Sequence, residues 1–371
     1  MIPRFLAAFA VALATTFAAV PVRAAGPALV FDVETSRILY AEAPDQPWYP
    51  ASLTKLMTAY MVFDALEREA VTAKAQIVIS PRANAQPKTR VGLGGGKRIT
   101  VGEALAGLVI HSANDLAMAL AEAVSGTEED FVAEMNEMAF KLGMLHTRFA
   151  NSNGLPGEGQ ATTARDMAIL ARALLRDFPQ WNYLYAEESA QVGHKTVSTH
   201  NDVLKNFDGG DGMKTGFTCG AGYNVVASAT RGGRRIVAVV LGDRTSRART
   251  SRAEDLLEKA FQTRRGGPEG ASLIDPEPVS GEALIGAPHF SLARPAFELM
   301  KIRNCWPPAP KIETASADDQ ALQATAGVNG GPDQGPANPK SAPAPEKPAK
   351  VSANKVPAKS ETPVKAETKS R

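Results

Sequence analysis

The stretch Tyr49-Pro50-Ala51-Ser52-Leu53-Thr54-Lys55-Leu56-Met57-Thr58 opens an apolar run in which Leu53, Leu56, Met57, Tyr60 and Met61 recur with helical spacing. Ser52 and Lys55 are three residues apart, and on a helix that spacing brings their side chains together on one face. Two readings fit the serine. It can be the N-cap of the helix. A capping box, however, has Glu or Gln at the fourth position, where this chain has Lys55. A cation in the first turn also faces the positive end of the helix dipole. The misfit acquires a use if the pKa of Lys55 is driven down, so that the amine can take a proton from the Ser52 hydroxyl. The choice between cap and nucleophile falls to the rest of the chain.

Working outward, the spacing carries this helix to about Arg68. Before it, Leu29 to Val33 and Arg37 to Tyr40 flank the polar turn Glu34-Thr35-Ser36 as a hairpin, joined to the helix by the Pro-rich connector Pro44 to Pro50. After it come a short strand at Gln76 to Ser80 and a glycine-rich run, Gly92-Leu93-Gly94-Gly95-Gly96-Lys97. A phosphate loop needs Ser or Thr after its Gly-Lys pair and Arg98 follows here, so this run reads as a surface turn. Helices are predicted over Thr100 to Ile110, Leu116 to Val124, Phe131 to Leu142 and Thr163 to Asp177, with Gly143 as a C-cap. Beyond Phe207 the period changes to that of strands: Met213 to Thr218, Tyr223 to Thr230 and Arg235 to Leu241, an antiparallel meander in which Lys214 lies beside the following hairpin. A last helix covers Ser251 to Phe261. The fold class is therefore α+β, one antiparallel sheet built from the N-terminal hairpin and the C-terminal strands with a helical block between.

The chain has 371 residues, 44% of them hydrophobic, enough for one large domain or two smaller ones. Arg4, the apolar run Phe5 to Val20 and the small-residue site Val22-Arg23-Ala24 form the pattern of a secretory signal peptide cut after Ala24. Residues 1–24 hold two arginines and no acid, so their removal takes the formal charge from +2 to 0. Residues 340–371 hold eight Lys or Arg and three Glu, which leaves residues 25–339 at −5. An acidic folded part argues against nucleic acid as partner. The two cysteines, Cys219 and Cys305, are open to pairing in an exported protein and to remaining free thiols. Residues 264–311 read as a short extension without a clear repeat, and 312–371 as a disordered Pro-, Ala- and Lys-rich tail. The basic tail is expected to have at most weak contact with membrane or wall. No cofactor and no metal site are indicated.

Three motifs stand in order: Ser52-Leu53-Thr54-Lys55, Ser112-Ala113-Asn114 and Lys214-Thr215-Gly216. Each is weak alone. In this order, on helix, interhelical loop and strand, they match the S-x-x-K, S-x-N and K-T-G set of penicillin-recognising serine acyltransferases. The neighbourhoods Gly-Met-Lys-Thr-Gly-Phe-Thr around Lys214 and Ala-Gly-Tyr-Asn-Val-Val around Tyr223 extend the likeness. So do Phe149-Ala150-Asn151-Ser152-Asn153-Gly154-Leu155 and Thr162-Thr163-Ala164-Arg165-Asp166. Over residues 28 to 262 the chain resembles the low-molecular-mass D-alanyl-D-alanine carboxypeptidases.

That resemblance implies a β-lactamase/transpeptidase-like domain over residues 25–263. It also implies that the terminal D-alanine is removed from peptidoglycan stem peptides through an acyl-enzyme, with β-lactam antibiotics as inhibitors. Ser52 is the expected nucleophile, and a serine hydroxyl needs a neighbouring base. Lys55 can serve once burial, the helix N-terminus and the charge of Lys214 depress its pKa. Ser112 can relay a proton to the departing amine. Asn114 can bond the substrate amide, hold Lys55 or cap the Leu116 helix. Lys214 and Thr215 are expected at the substrate carboxylate, with Gly216 leaving room for its backbone. The backbone N–H groups of Ser52 and Phe217 are the implied oxyanion hole. Arg249 matches a family position for carboxylate recognition, with Arg244, Arg247 and Arg252 close by in sequence. Phe217 is apolar where some relatives are polar.

Rival chemistries fit less well. None of His111, His146, His194, His200 or His289 accompanies a G-x-S-x-G elbow, and no H-E-x-x-H occurs. A β-lactamase would need a glutamate for deacylation, and Glu158 lies in the corresponding region without the surrounding pattern. A peptidoglycan-binding protein that has lost catalysis, and an endopeptidase acting on cross-bridges, remain compatible with the same motifs.

Overall fold

The computed structural model describes residues 26–263 and 272–273. The expected signal peptide, the expected extension apart from Ser272 and Leu273, the expected tail and Cys305 lie outside the described residues. Cys219 is disulfide-bonded.

The N-terminal hairpin is β1 (Ala28–Asp32) and β2 (Ile38–Glu42). A single 3-10 turn, Ala51–Leu53, then leads into α1 (Thr54–Glu67). The helical block continues with β3 (Gln76–Val78), α2 (Pro81–Asn84), β4 (Arg98–Thr100), α3 (Val101–Val109), α4 (Asn114–Ser125), α5 (Glu128–Leu142) and α6 (Ala164–Asp177). Next come α7 (Tyr183–Ala186), the small hairpin β5 (Ser189–Val192) and β6 (Lys195–Ser198), and α8 (Asp202–Asn206). The chain returns to the sheet with β7 (Gly210–Thr218), β8 (Gly222–Arg231) and β9 (Arg234–Asp243), and α9 (Ser246–Gln262) follows. The expected elements are present. The additions are β4, the β5–β6 hairpin and the short helices α2, α7 and α8, and α9 begins five residues earlier than expected, capped by the Thr245 hydroxyl.

The main sheet runs β2-β1-β9-β8-β7, with every pairing antiparallel. Its residues alternate between two cores because successive side chains on a strand point to opposite faces. Leu29, Phe31, Val226, Val237, Val239 and Leu241 face the helical block. Ala28, Val30, Val225, Ala227, Ala238 and Val240 face α9, which answers with Ala253, Leu256, Leu257 and Ala260. Burial on both faces explains why β8 and β9 read as continuous apolar runs rather than alternating ones. The result is three layers, with the five-stranded sheet between α9 and the helical block.

Within that block α1 is buried without interruption from Thr54 to Phe63. A helix apolar all round belongs inside a core, and α1 packs there against α3, α4, α5 and α6. The turn carrying Ser52 is therefore rooted in the most enclosed helix of the molecule. Beyond α9, Ser272 bridges to Arg37, and Leu273 donates its N–H to the Ser36 carbonyl at 2.8 Å with its side chain buried.

Candidate active site

Ser52 does not cap α1. The helix is preceded by a 3-10 turn whose N-cap is Pro50, with no side-chain cap, and this turn lets the chain arrive with Ala51 at φ 49°. The strain at Ala51 is held by its surroundings. Asn224, buried in β8, donates to the carbonyls of Tyr49 and Pro50 at 2.9 and 3.2 Å and accepts from the Gly242 N–H at 2.9 Å. Gly154, at φ 84°, lies so close that a Cβ there would sit 1.9 Å from the Ala51 carbonyl oxygen. Strain of this kind persists only where the structure over-determines it.

One turn on, Lys55 is 1% exposed. Its Nζ lies 3.0 Å from Ser52 Oγ, 2.7 Å from Asn114 Oδ1 and 2.6 Å from the Asn153 carbonyl oxygen. Burial pushes its pKa well below the usual lysine range, the nearby charge of Lys214 pushes it further, and Asp115 opposes them. Two of the three partners can only accept. In its neutral form the amine has two N–H bonds to give, and with Asn114 and Asn153 taking both, the nitrogen lone pair would be left for the Ser52 hydroxyl. The Asn114 amide is oriented by its own Nδ2, which donates to the Pro87 carbonyl at 3.0 Å. Asn114 therefore holds Lys55. It is the first residue of α4 rather than its cap, which is Ala113 with no side-chain bond.

Ser112, just before α4, is at φ 64°, another strained non-glycine residue. It shares with Ser52 a cavity of about 320 Å³. Thr215, Gly216 and Phe217 from β7 form a second wall, and Ser246 and Arg249 from the start of α9 a third. Lys88, Thr89, His200 and Tyr223 complete it. Lys55, Asn114 and Lys214 stand behind this surface. Strand β7 ends the sheet, so its outer edge is unpaired among the described strands. Gly216 gives this approach its room: a Cβ would come 3.1 Å from the Ser52 nitrogen and 3.2 Å from the Leu53 nitrogen, a tight contact.

Lys214 is buried and donates to the Thr215 carbonyl at 3.2 Å. Burial, reinforced by Arg249, brings its pKa down to about 7. Arg249 is buried as well, with Ser246 Oγ at 3.0 Å, Thr250 Oγ1 at 3.2 Å and Asp202 at 3.6 Å, while its Nε has no partner. Of the neighbouring arginines, Arg252 is engaged by Glu42 and the Gly26 carbonyl, and only Arg249 lines the cavity. Phe217 is 41% exposed, its ring 4.3 Å from that of Tyr223.

All nine residues singled out in the sequence thus converge on one place. Sequence reasoning assigned no part to the Asn153 carbonyl, Asn224, His200, Lys88 or Thr89. A polar Asn224 at the head of the apolar run Val225-Val226-Ala227 was the one signal available. Glu158 is exposed and absent from the cavity lining. Among the described residues no group of three or more potential metal ligands occurs, and no helix is long and apolar enough to cross a membrane.

The family model described as D-alanyl-D-alanine carboxypeptidase matches residues 14–245. The D-alanyl-D-alanine carboxypeptidase DacC of Escherichia coli is 37% identical over 241 residues, covering 63% of this chain and 60% of that protein. The chain thus spans about 60% of the length of the curated relatives it matches. Penicillin binding protein 5 of Haemophilus influenzae superposes with a TM-score of 0.62 at 35% identity, over 64% of this chain and 70% of that one. Penicillin-Binding Protein D2 of Listeria monocytogenes, solved in an ampicillin-bound form, gives 0.57 at 31% identity over 64% of this chain and 97% of that one. On sequence, fold and motif order together, the chain belongs to the D-alanyl-D-alanine carboxypeptidase family.

Proposed function

We propose that the protein is a serine-type D-Ala-D-Ala carboxypeptidase acting on peptidoglycan stem peptides and acylated by β-lactams. The observation that carries this reading is the Lys55 amine, buried, depressed in pKa, held by two acceptor oxygens and 3.0 Å from Ser52 Oγ. In the forward step Lys55 takes the Ser52 proton as Oγ bonds to the carbonyl carbon of the penultimate D-alanine. The tetrahedral oxyanion falls to the N–H groups of Ser52 and Phe217, each such donor being worth about 2.7–4 kcal/mol in comparable sites. Collapse breaks the C–N bond. Ser112, on the same cavity wall, passes a proton to the departing amine, and D-alanine leaves. Water then cleaves the ester, restoring the Ser52 hydroxyl and releasing the shortened stem. The terminal carboxylate is received by Thr215 and by Arg249, whose Nε is unpartnered, with Lys214 supplying positive charge beneath. Residues 1–24, with the pattern of an export signal, support a site of action in the cell envelope.

Incubation with labelled penicillin followed by mass spectrometry is expected to place an adduct on the Ser52 peptide, and a D-Ala-D-Ala peptide is expected to lose one D-alanine. Folded protein with no adduct at Ser52 would overturn the assignment. An adduct without D-alanine release would identify a binding protein, rapid turnover of the drug a β-lactamase, and cleavage of a cross-bridge an endopeptidase.

A further inference from the structure

We propose that a basic pocket beside the Ser52 cavity is a subsite for a carboxylate on the stem peptide, in the portion that precedes the scissile bond. This rests on the carboxypeptidase reading above. The pocket is a cavity of about 360 Å³ lined by Lys88, Thr89, Arg90, His111 and Lys195 around the backbone of Val91 and Gly92. Lys88 and Thr89 line the Ser52 cavity too, so the two spaces meet along that segment. Arg249 and Ser246, which take the terminal carboxylate in the proposed mechanism, line only the Ser52 cavity. A substrate held at that end continues past Ser52 in the other direction, and the basic pocket is open to it.

Its charge is uncompensated at the surface. Among the described residues no ion pair engages Lys88, Arg90, His111 or Lys195. Their observed partners are backbone carbonyls. Arg90 donates to Asn84 at 2.6 Å, Lys195 to Val91 and Gly92 at 2.8 Å each, and His111 Nδ1 lies 3.2 Å from the Ser198 oxygen. The acid that reaches this segment, Asp115, is buried under it with its oxygens on the N–H groups of Val91, Gly92 and Leu116. Those bonds and the two from Lys195 pin the 91–92 backbone, so the pocket wall is organised before any ligand arrives. Two lysines, an arginine and a histidine gathered in a cavity, on a part of the chain with net charge −5, focus a positive potential where the molecule is otherwise acidic. A stem peptide carries such an anion wherever an acidic residue is joined through its side chain and leaves its α-carboxylate free.

The test compares two pentapeptides ending in D-Ala-D-Ala. One contains γ-linked D-glutamate with a free α-carboxylate, and the other has that carboxylate amidated. The expected kcat/KM favours the acidic peptide by about three- to fivefold in dilute buffer, the size of a partly exposed ion pair. The preference is expected to vanish at 1 M salt, where screening acts over roughly 3 Å. Arg90→Gln should bring the acidic peptide down towards the amidated one. Lys195→Gln should do the same, which guards against a folding defect in either variant. Equal kcat/KM for the two peptides at all salt concentrations overturns the proposal, as does an Arg90→Gln variant that slows both in the same proportion. Release of D-alanine without discrimination overturns only the pocket. No release from either peptide, with no penicillin adduct at Ser52, overturns the carboxypeptidase reading itself.

Discussion

Held by Asn114 Oδ1 and the Asn153 carbonyl, the Lys55 amine meets two oxygens that can only accept, so that in its neutral form the lone pair is left for Ser52 Oγ. Its basicity is lowered first by burial and then by a second buried lysine, Lys214, which supplies the leading charge–charge contribution. The charge of Lys214 therefore bears on the titration of Lys55. The acylation rate should rise with pH as Lys55 becomes neutral, and peptide turnover should fall as Lys214 loses its proton near pH 7 in the free enzyme. Lys214→Gln removes a charge that depresses Lys55. The limb due to Lys55 should therefore move to higher pH, read from penicillin acylation rates across pH, and a limb that stays in place would refute the coupling. Stability follows the same shift. The folded state releases the Lys214 proton near pH 7 while the unfolded chain keeps it to about 10.5, so this group alone makes stability rise with pH across that window. Ser52 and Lys55 were legible because their spacing is local. The Asn153 carbonyl was not, since a backbone oxygen 98 residues away leaves no trace in residue type.

At the scale of elements, the site exists because three backbone segments meet without side chains between them. Gly154 lays its loop on the turn before Ser52, and Gly216 lets β7 reach the Ser52 nitrogen. Gly154→Ala meets the Ala51 carbonyl at 1.9 Å and must also adopt φ 84°. A loss of at least about 1–2 kcal/mol in urea unfolding is expected from the backbone conformation alone, together with a loss of acylation as the Asn153 carbonyl moves. Gly216→Ala has a milder contact, 3.1 Å, and a different expected signature: the unfolding midpoint held within a few degrees, with acylation of Ser52 down about tenfold as β7 is pushed from the turn. Equal acylation in the two proteins would show that the approach is incidental. The elements that escaped the sequence reading are the short ones. Arg98–Thr100 spans three residues, and the β5–β6 strands are four residues each and largely polar outward, too short for a period to register. The start of α9 was missed because Arg244 to Arg252 is rich in polar residues, and its cap, Thr245, sits among them.

Across the whole molecule, the layers are tied by a buried ion pair. Arg234 at the start of β9 reaches Asp32 at the end of β1 at 2.7 Å, and also bonds the carbonyls of Ala260 and Thr263 at the end of α9. Burial alone would raise the Asp32 pKa, but the hydrogen bonds from Arg234 and Thr35 outweigh it and hold the carboxyl below its ordinary range. Its contribution is therefore present at neutral pH and lost as the pH falls through that depressed pKa. Arg234→Met strands the Asp32 charge and should cost about 3–5 kcal/mol in denaturant unfolding. The pH profile of Ser52 acylation in the folded protein should be unchanged, because the pair lies away from the cavity. A loss under 1 kcal/mol would mean that Asp32 finds solvent.

The sequence by itself determined the apolar runs and helical periods that make the main strands and helices, and the order of Ser52, Ser112 and Lys214 along the chain. Period and motif are local properties, written in residue types a few positions apart. Tertiary structure alone decided that Lys55 is buried with its pKa lowered beside Ser52 and that Arg249, among four nearby arginines, faces the cavity. It also decided that Lys88, Arg90 and Lys195 share a pocket. Each of these depends on burial and on charges brought together from distant segments, and a pKa or a potential is a property of what surrounds a group.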